Sequence, residues 1–573
     1  MEDIKFGKFS EIEYTRPDFK KASKEIRLII KQLEKANSYS EFKEAYMKIE
    51  ELSKDLETMG TIASIRNTLD KTDAYYEEEM KYINRSGGLL SLTLLKLVKT
   101  ILKSKYKEDI KKDYGEFLIQ NLEMSQKIMS PKIILLMIRQ GSLSQEYSKK
   151  VALCKTVFRG EECNFYGLLK HMQSTDRSER KEAFIAWANL YESVSDELDD
   201  IYTKLINLRV KIAKRLKFAS YTDYAYIARG RYDYKQEDVY KFREAIKKYI
   251  VPLCVKLYDK QKEELGIDDL YWYDEELTFK EGNAIPIGNE EELVLKAKQM
   301  YNELSSETGE FFNFMYEHQL FDLATRPGKH MGGYCTFLPK YKAPFIFSNF
   351  NGTSQDVDVL THEAGHAFES FLASRNIELS DQIFSTSEID EIHSMSMEHF
   401  TYPFMDKFFG KNTDKYRYHH LVKSLEVIPY LVSVDAFQHA IYANPKMDAR
   451  ARRKVWHDIE KEFMPWRDYD GNKFLSEGGF WMQKQHIFLY PFYYVDYALA
   501  QMCAYQLFLR SLDTFSDAWK DYLNLCKAGG TKGYFDLLKV AKLESPFEEE
   551  TIQSISERIE KVIEEFASKV NND

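Results

Sequence analysis

From Pro17 to about Leu153 apolar residues recur every three or four positions among lysines and glutamates, a spacing that admits amphipathic helices and little else. The run Phe19-Lys20-Lys21-Ala22-Ser23-Lys24-Glu25-Ile26-Arg27-Leu28-Ile29-Ile30 is representative. Ser38-Tyr39-Ser40-Glu41 reads as a capping box opening a second helix, and Ser86-Gly87-Gly88 as a break between later ones. No cluster of ligand-type side chains interrupts this region. It is predicted to be a solvated helical bundle, scaffold or lid, and residues 1–165 are assigned to it.

Helices continue from about Asn164 to Leu265, now rich in Tyr and Arg. Loop residues appear at Gly282-Asn283-Ala284-Ile285-Pro286-Ile287-Gly288, before Glu290 starts another helix. Between Phe321 and Asn351 the period shortens. Cys335 to Leu338 and Ala343 to Phe350 read as short strands flanked by Gly328, Gly332, Gly333 and Gly352, so a small sheet is expected just before residue 354. Beyond it, Ser385-Thr386-Ser387-Glu388 reads as a capping box for a helix that Pro403 ends or kinks. Pro491 is expected to open a helix through Tyr494, Tyr497 and Gln501. Ala528 to Gly533 is a final break, and Ser545-Pro546 starts a terminal Glu-rich helix.

Composition removes several functional classes. Of the 573 residues 30% are charged, with a net charge of -10 and both signs interspersed, so no basic stripe favours nucleic acid and no polybasic tail favours a membrane surface. Met1-Glu2-Asp3-Ile4-Lys5 has no apolar leader character, and the greasiest stretch, Leu89 to Val98, is interrupted by Ser91, Thr93 and Lys96. The six cysteines are scattered without a Cys-x-x-Cys pair, which suits reduced thiols in a cytoplasmic protein. Eleven of the twelve histidines fall between His318 and His486, so chemistry is expected in the second half.

There, Thr361-His362-Glu363-Ala364-Gly365-His366 lies in a helical pattern that begins near Thr353 or Ser354, with acids in its first turn. Residues i and i+4 share one helix face, so His362 and His366 can offer two imidazoles to one metal ion, with Glu363 beside them. A hydrolytic zinc site takes three protein ligands and leaves one position open, so a third must come from elsewhere. Glu391 leads the downstream carboxylates, and Glu398 shares its face. Glu369 and Glu378 are the other candidates, although Glu369 sits roughly 10 Å along the same axis from His362. Gly365, costing about 1 kcal/mol against Ala inside a helix, is expected to admit another backbone.

The pair of segments His362-Glu363-Ala364-Gly365-His366 and Glu391-Ile392-His393-Ser394-Met395-Ser396-Met397-Glu398 resembles the thimet oligopeptidase and oligoendopeptidase F family of zinc metallopeptidases, nearer the oligoendopeptidase F branch. Gly332-Gly333-Tyr334-Cys335, His486 to Tyr497 and Gly529-Gly530 extend the resemblance. It implies a mostly α fold, large and helical, with a deep substrate channel and a small β-sheet beside the zinc-binding helix. Residues 166–573 then form the catalytic region. One Zn2+ ion is held by His362, His366 and Glu391, and Glu363 is the catalytic base. His486, Tyr490 and Tyr497 line the site opposite the metal, although Ile487-Phe488-Leu489 and Pro491 occupy a loop that is glycine-rich in the thimet enzymes. The expected partners are short peptides cut at internal bonds, with no nucleic acid and no membrane. A carboxypeptidase or dipeptidase on a similar scaffold, and a non-catalytic zinc-stabilised peptide-binding protein, are the alternatives.

Overall fold

The computed structural model describes residues 6–326 and 328–570; Met1 to Lys5, read above as lacking leader character, lie outside the described residues. Helices dominate. The strands are β1 (Thr156–Phe158) and β2 (Glu161–Cys163), an antiparallel pair, and β3 (Phe321–Ala324), β4 (Tyr334–Leu338) and β5 (Ala343–Phe350), which form a second sheet. The chain divides into two compact units, neither contiguous in sequence.

The first unit comprises Met1–Pro131, Ile285–Thr413 and Cys503–Glu544. Its amino-terminal part is built on α1 (Phe19–Lys35), α2 (Tyr39–Leu69) and α3 (Ala74–Lys103). Ile26, Ile30, Phe42, Ile49 and Ile101 are buried between them, the apolar stripe expected from the spacing. Ser38 caps α2 by accepting from the Glu41 N–H, but the Glu41 carboxylate takes the N–H of Asn37, so only half of the capping box forms. The break expected at Ser86 to Gly88 does not occur, because α3 runs straight through it. Each glycine costs about 1 kcal/mol, less than α3 gains by packing along α1, where Ser23 and Thr93 also share a buried 2.7 Å hydrogen bond.

The sheet of the first unit has the order β3-β5-β4, with β3 parallel and β4 antiparallel to β5. The strands expected from Cys335 and from Ala343 are thus present, β4 starting one residue earlier. Packed against β4 and β5 is the helix Gln355–Asn376, followed by Ser387–Phe400 and, far along the chain, Phe515–Ala528. Phe368 of the first stacks on Trp519 and Tyr522 of the last, with ring centroids 6.1 and 6.3 Å apart. The break at Gly529-Gly530 presses on the Gln382 to Ser385 turn. A Cβ at Gly529 would come within 2.6 Å of the Ile383 carbonyl, and one at Gly530 within 2.0 Å of the Phe384 carbonyl.

The second unit comprises Lys132–Ala284, Asp414–Met502 and Ser545–Asp573. Its longest helix, Arg177–Arg215, buries Trp187, Tyr191, Tyr202 and Arg209, and the Glu-rich helix Glu549–Val570 ends the described chain. No helix among the described residues is long and apolar enough to cross a membrane, and all six cysteines are free thiols.

Candidate metal centre

Gln355–Asn376 is the helix the His-Glu-x-x-His spacing requires. Ser354 precedes it without a side-chain cap; instead the Asp356 carboxylate accepts the N–H groups of Asn351 (2.9 Å) and Gly352 (2.7 Å), tying the end of β5 to the first turn. The Ser387–Phe400 helix lies alongside. Its expected capping box is absent as well: Thr386 makes no side-chain cap, and Asp390 accepts the Ser385 N–H at 3.0 Å. Gly365 sets the approach of the two helices. A Cβ there would stand 2.6 Å from Ser394 Cα and 2.7 Å from the His393 carbonyl oxygen, so only glycine lets the backbones meet this closely.

That contact brings His362, His366 and Glu391 together, each offering a ligand atom within 4.8 Å of the others. His362 Nε2 and His366 Nε2 lie 3.3 and 3.4 Å from the same oxygen, Glu391 Oε2. The two rings are nearly perpendicular, at 82° and 5.1 Å between centroids. His362 Nδ1 is 2.6 Å from Glu398 Oε1, which aims Nε2 at Glu391. Ser394 Oγ donates to Glu391 Oε2 at 3.0 Å. Of the other carboxylates, Glu378 accepts a hydrogen bond from Tyr114 and Glu369 joins a different group.

The electrostatics fit a cation. Burial opposes charge on both imidazoles, yet the Glu391 and Glu398 carboxylates outweigh it for His362, as Glu391 does for His366, and both rings are raised in proton affinity. Burial likewise opposes charge on Glu391, but the two imidazoles hold it well below the usual carboxylate range. Two neutral nitrogens and one carboxylate oxygen, converging in an anionic surrounding, are a donor set suited to zinc.

Glu363, 8% exposed, is raised above the usual range by burial, against which the two imidazoles pull. The start of β4 runs past it, because a Cβ on Gly333 would stand 3.5 Å from Glu363 Oε1 and 3.1 Å from Val359 Cγ1. Beneath the first group lies a second, of Glu369, Asp390 and His393, with Glu369 and His393 fully buried and His393 Nδ1 3.3 Å from Glu369 Oε2. Burial and the neighbouring Asp390 raise Glu369 well above the carboxylate range, while burial and His366 push His393 down to about 3, so that ring stays neutral.

His486, Tyr490 and Tyr497 belong to the second unit, where they form an aromatic group of their own. The ring of His486 lies 5.9 Å from Tyr490, 6.4 Å from Tyr497, 4.8 Å from Tyr494 and stacks at 5.7 Å on Tyr493. Tyr493 and Tyr494 were not singled out from sequence, since tyrosines at helical spacing usually mark core. His486 rides on the short helix Gln485–Leu489, whose Ile487 and Phe488 carbonyls accept from the buried Arg209. The helix carrying Tyr497 is Tyr494–Asp513, three residues later than Pro491 suggests. Phe492 delays it by adopting φ 62°, with its ring fully buried and its N–H donated to Gln438 at 2.5 Å. Asp496, fully buried, accepts from Arg229 at 2.7 Å and from Arg231, and so anchors the first turn.

Residues 9–129 match the Peptidase M3 N-terminal domain and residues 170–557 match Peptidase family M3. Among solved structures, PZ peptidase A with an inhibitor is 41% identical, with a TM-score of 0.94 over 97% of this chain and 99% of that one. A putative oligoendopeptidase F from Bacillus anthracis str. Ames is 38% identical, with a TM-score of 0.89 over 98% of both chains. An oligoendopeptidase F homologue of Borreliella burgdorferi is 22% identical over 519 residues, covering 87% of this chain and 86% of its own.

Proposed function

The chain belongs to peptidase family M3, and from that premise we propose that it is a zinc-dependent endopeptidase acting on internal bonds of short peptides. The observation that carries this reading is the convergence of His362, His366 and Glu391 with Glu363 beside them. When bound, zinc supplies Lewis acidity that draws electron density from a water and from the scissile carbonyl.

Glu363 has no duty in a closed structural zinc site, which favours catalysis over a stabilising role. Its carboxylate takes the proton of the attacking water and hands it to the leaving amine. A raised proton affinity suits that exchange. His362 is kept in one orientation by Glu398, and Glu391 by Ser394. His486, Tyr490 and Tyr497 have the task of donating hydrogen bonds to the oxyanion, one well-placed donor contributing on the order of 3 kcal/mol. Tyr497→Phe tests it: turnover falls more than substrate affinity, and unchanged turnover removes Tyr497 from the role.

Peptide backbone pairs with β4. The strand containing Phe345 to Phe350 is β5, which is occupied on both sides by β3 and β4 and has no edge to offer a substrate. The edges belong to β3 and β4, and it is β4 whose first residues follow Gly333 and so pass Glu363. Main-chain pairing there binds many sequences with loose side-chain preference.

The test is digestion of an internally quenched peptide blocked at both ends, with and without chelator, and mass spectrometry of the products. Internal cuts that chelator abolishes support the reading. Products only from unblocked ends indicate a carboxypeptidase or dipeptidase, and binding without turnover a peptide-binding protein.

A further inference from the structure

We propose that Glu50, Glu57 and Asp381 form a subsite for a cationic group of the peptide substrate, which favours a lysine or arginine side chain at one position along β4. This rests on the endopeptidase reading. The first unit contains a cavity of about 770 Å³ enclosed by α2, α3 and the outer edge of β4, where Tyr334, Cys335 and Thr336 line it directly after Gly333. A peptide paired with that edge sends alternate side chains toward the cavity.

The acidic wall is assembled by two elements. Glu50 and Glu57 are seven residues apart on α2 and so share a face. Asp381 sits on the turn Ser380–Gln382, which Glu50 itself secures, its Oε1 accepting from Ser380 N at 2.7 Å and Ser380 Oγ at 2.6 Å. Neither Glu57 nor Asp381 has an ion-pair or hydrogen-bond partner among the described residues. Both carboxylates are open to the solvent of the cavity, yet the protein surrounding it raises both, and each is raised further by the charge of Glu50.

Among the described residues Lys54 pairs with Glu50, and no cation pairs with Glu57 or Asp381. Lys54 is 3.7 Å from Glu50 but 3.0 Å from Glu51, and it donates to the Glu378 carbonyl. His330, also in the wall, is lowered by burial and by Lys71 and stays neutral. Tyr46, a side chain 8% exposed, lines the same cavity, and its hydroxyl opens to it with no partner among the described residues. It lies close enough to Asp381 and Glu50 to feel both charges. A ligand N–H donor meets the carboxylates and the hydroxyl oxygen together. Ile49, Leu56, Leu90 and Leu94 give the cavity an apolar face among its polar lining, a surface that suits the methylene stem of a long basic side chain.

The experiment uses the zinc-loaded full chain and peptides acetylated and amidated at their ends, identical except for Lys, Arg or norleucine at each position in turn. A further peptide has a free α-amino group and no basic side chain. Hydrolysis is read as kcat/KM, and affinity is read separately by titration calorimetry on the Glu363→Gln background, which does not depend on turnover. Expected is one position at which Lys or Arg is preferred over norleucine by about tenfold, the scale of one charge-assisted contact. In Glu57→Gln/Asp381→Asn that ratio falls below about twofold, and each single change, on its own element, lowers it in part. A preference confined to the free amine and lost in the same variants keeps the subsite and assigns it to the peptide amino terminus. An equal ratio in wild type and double variant, or no charge preference in wild type, overturns the proposal. Charge-dependent binding without hydrolysis by the wild type overturns the endopeptidase reading and leaves the subsite standing; hydrolysis without charge preference does the reverse.

Discussion

Glu398 Oε1 stands 2.6 Å from His362 Nδ1, one heptad beyond the carboxylate that faces the other nitrogen of the same ring. A carboxylate in that place sets the tautomer and raises the basicity of the ligand nitrogen. Glu398→Gln is therefore expected to weaken zinc binding roughly 10- to 100-fold while the fold persists, measured by competition with a calibrated chelator. Unaltered affinity would reduce Glu398 to a packing residue.

Glu391 carries more. Its removal deletes a candidate ligand atom, so Glu391→Ala is expected to leave less bound zinc after dialysis than Glu398→Ala does. Metal analysis of the two purified variants checks the order, and the reverse order would exchange their roles.

Glu363→Gln preserves shape and leaves the three converging side chains in place. Zinc content is expected to stay near stoichiometric while kcat drops by orders of magnitude, since the amide cannot accept the water proton. Full turnover in the metal-loaded variant would refute the general-base assignment.

Gly365→Ala gains helix propensity of about 1 kcal/mol and loses more. With the new methyl 2.6 Å from Ser394 Cα, the two helices must part, at a cost of roughly 1–3 kcal/mol for overpacking. A lower denaturation midpoint together with weaker zinc binding is expected; a stabilised variant with intact affinity would mean the helices yield freely.

His419 offers a pH signature in the second unit. Burial, Lys423 and His420 push it down to about 3, and its Nδ1 lies 2.7 Å from Thr278 Oγ1. Its folded value lies below the unfolded value of about 6.5, so its contribution is fully present above that pH and is lost as pH falls toward 3. Between pH 7 and pH 5 the wild type is expected to lose on the order of 1–2 kcal/mol that His419→Gln does not lose, read from urea midpoints.

Much of this was legible in the chain because it is local. Helical period, the one-turn spacing of His362 and His366, and the glycine at 365 are each decided within a few residues. Glu398 was weighed only as a rival ligand, although its heptad spacing from Glu391 was the signal that both reach the same histidine. What stayed hidden is non-local. β5 becomes the inner strand only because β3 returns parallel to it, and no pattern inside Ala343 to Phe350 reports that pairing. The straight passage of α3 through Gly87-Gly88 reflects tertiary packing overriding propensity. Asp381 and Glu50, more than 300 residues apart, meet through Ser380, a contact that no spacing could suggest.

The stacking of Phe368 on Trp519 and Tyr522 has a consequence for synthesis. A ribosome delivers the segment of His362 and His366 some 150 residues before the rings that complete its packing. The two histidines therefore leave the tunnel well ahead of the rings that pack their helix, and that packing is complete only after Tyr522 has been made. A peptidase assembled in that order has its full cutting geometry only after most of its length has been made.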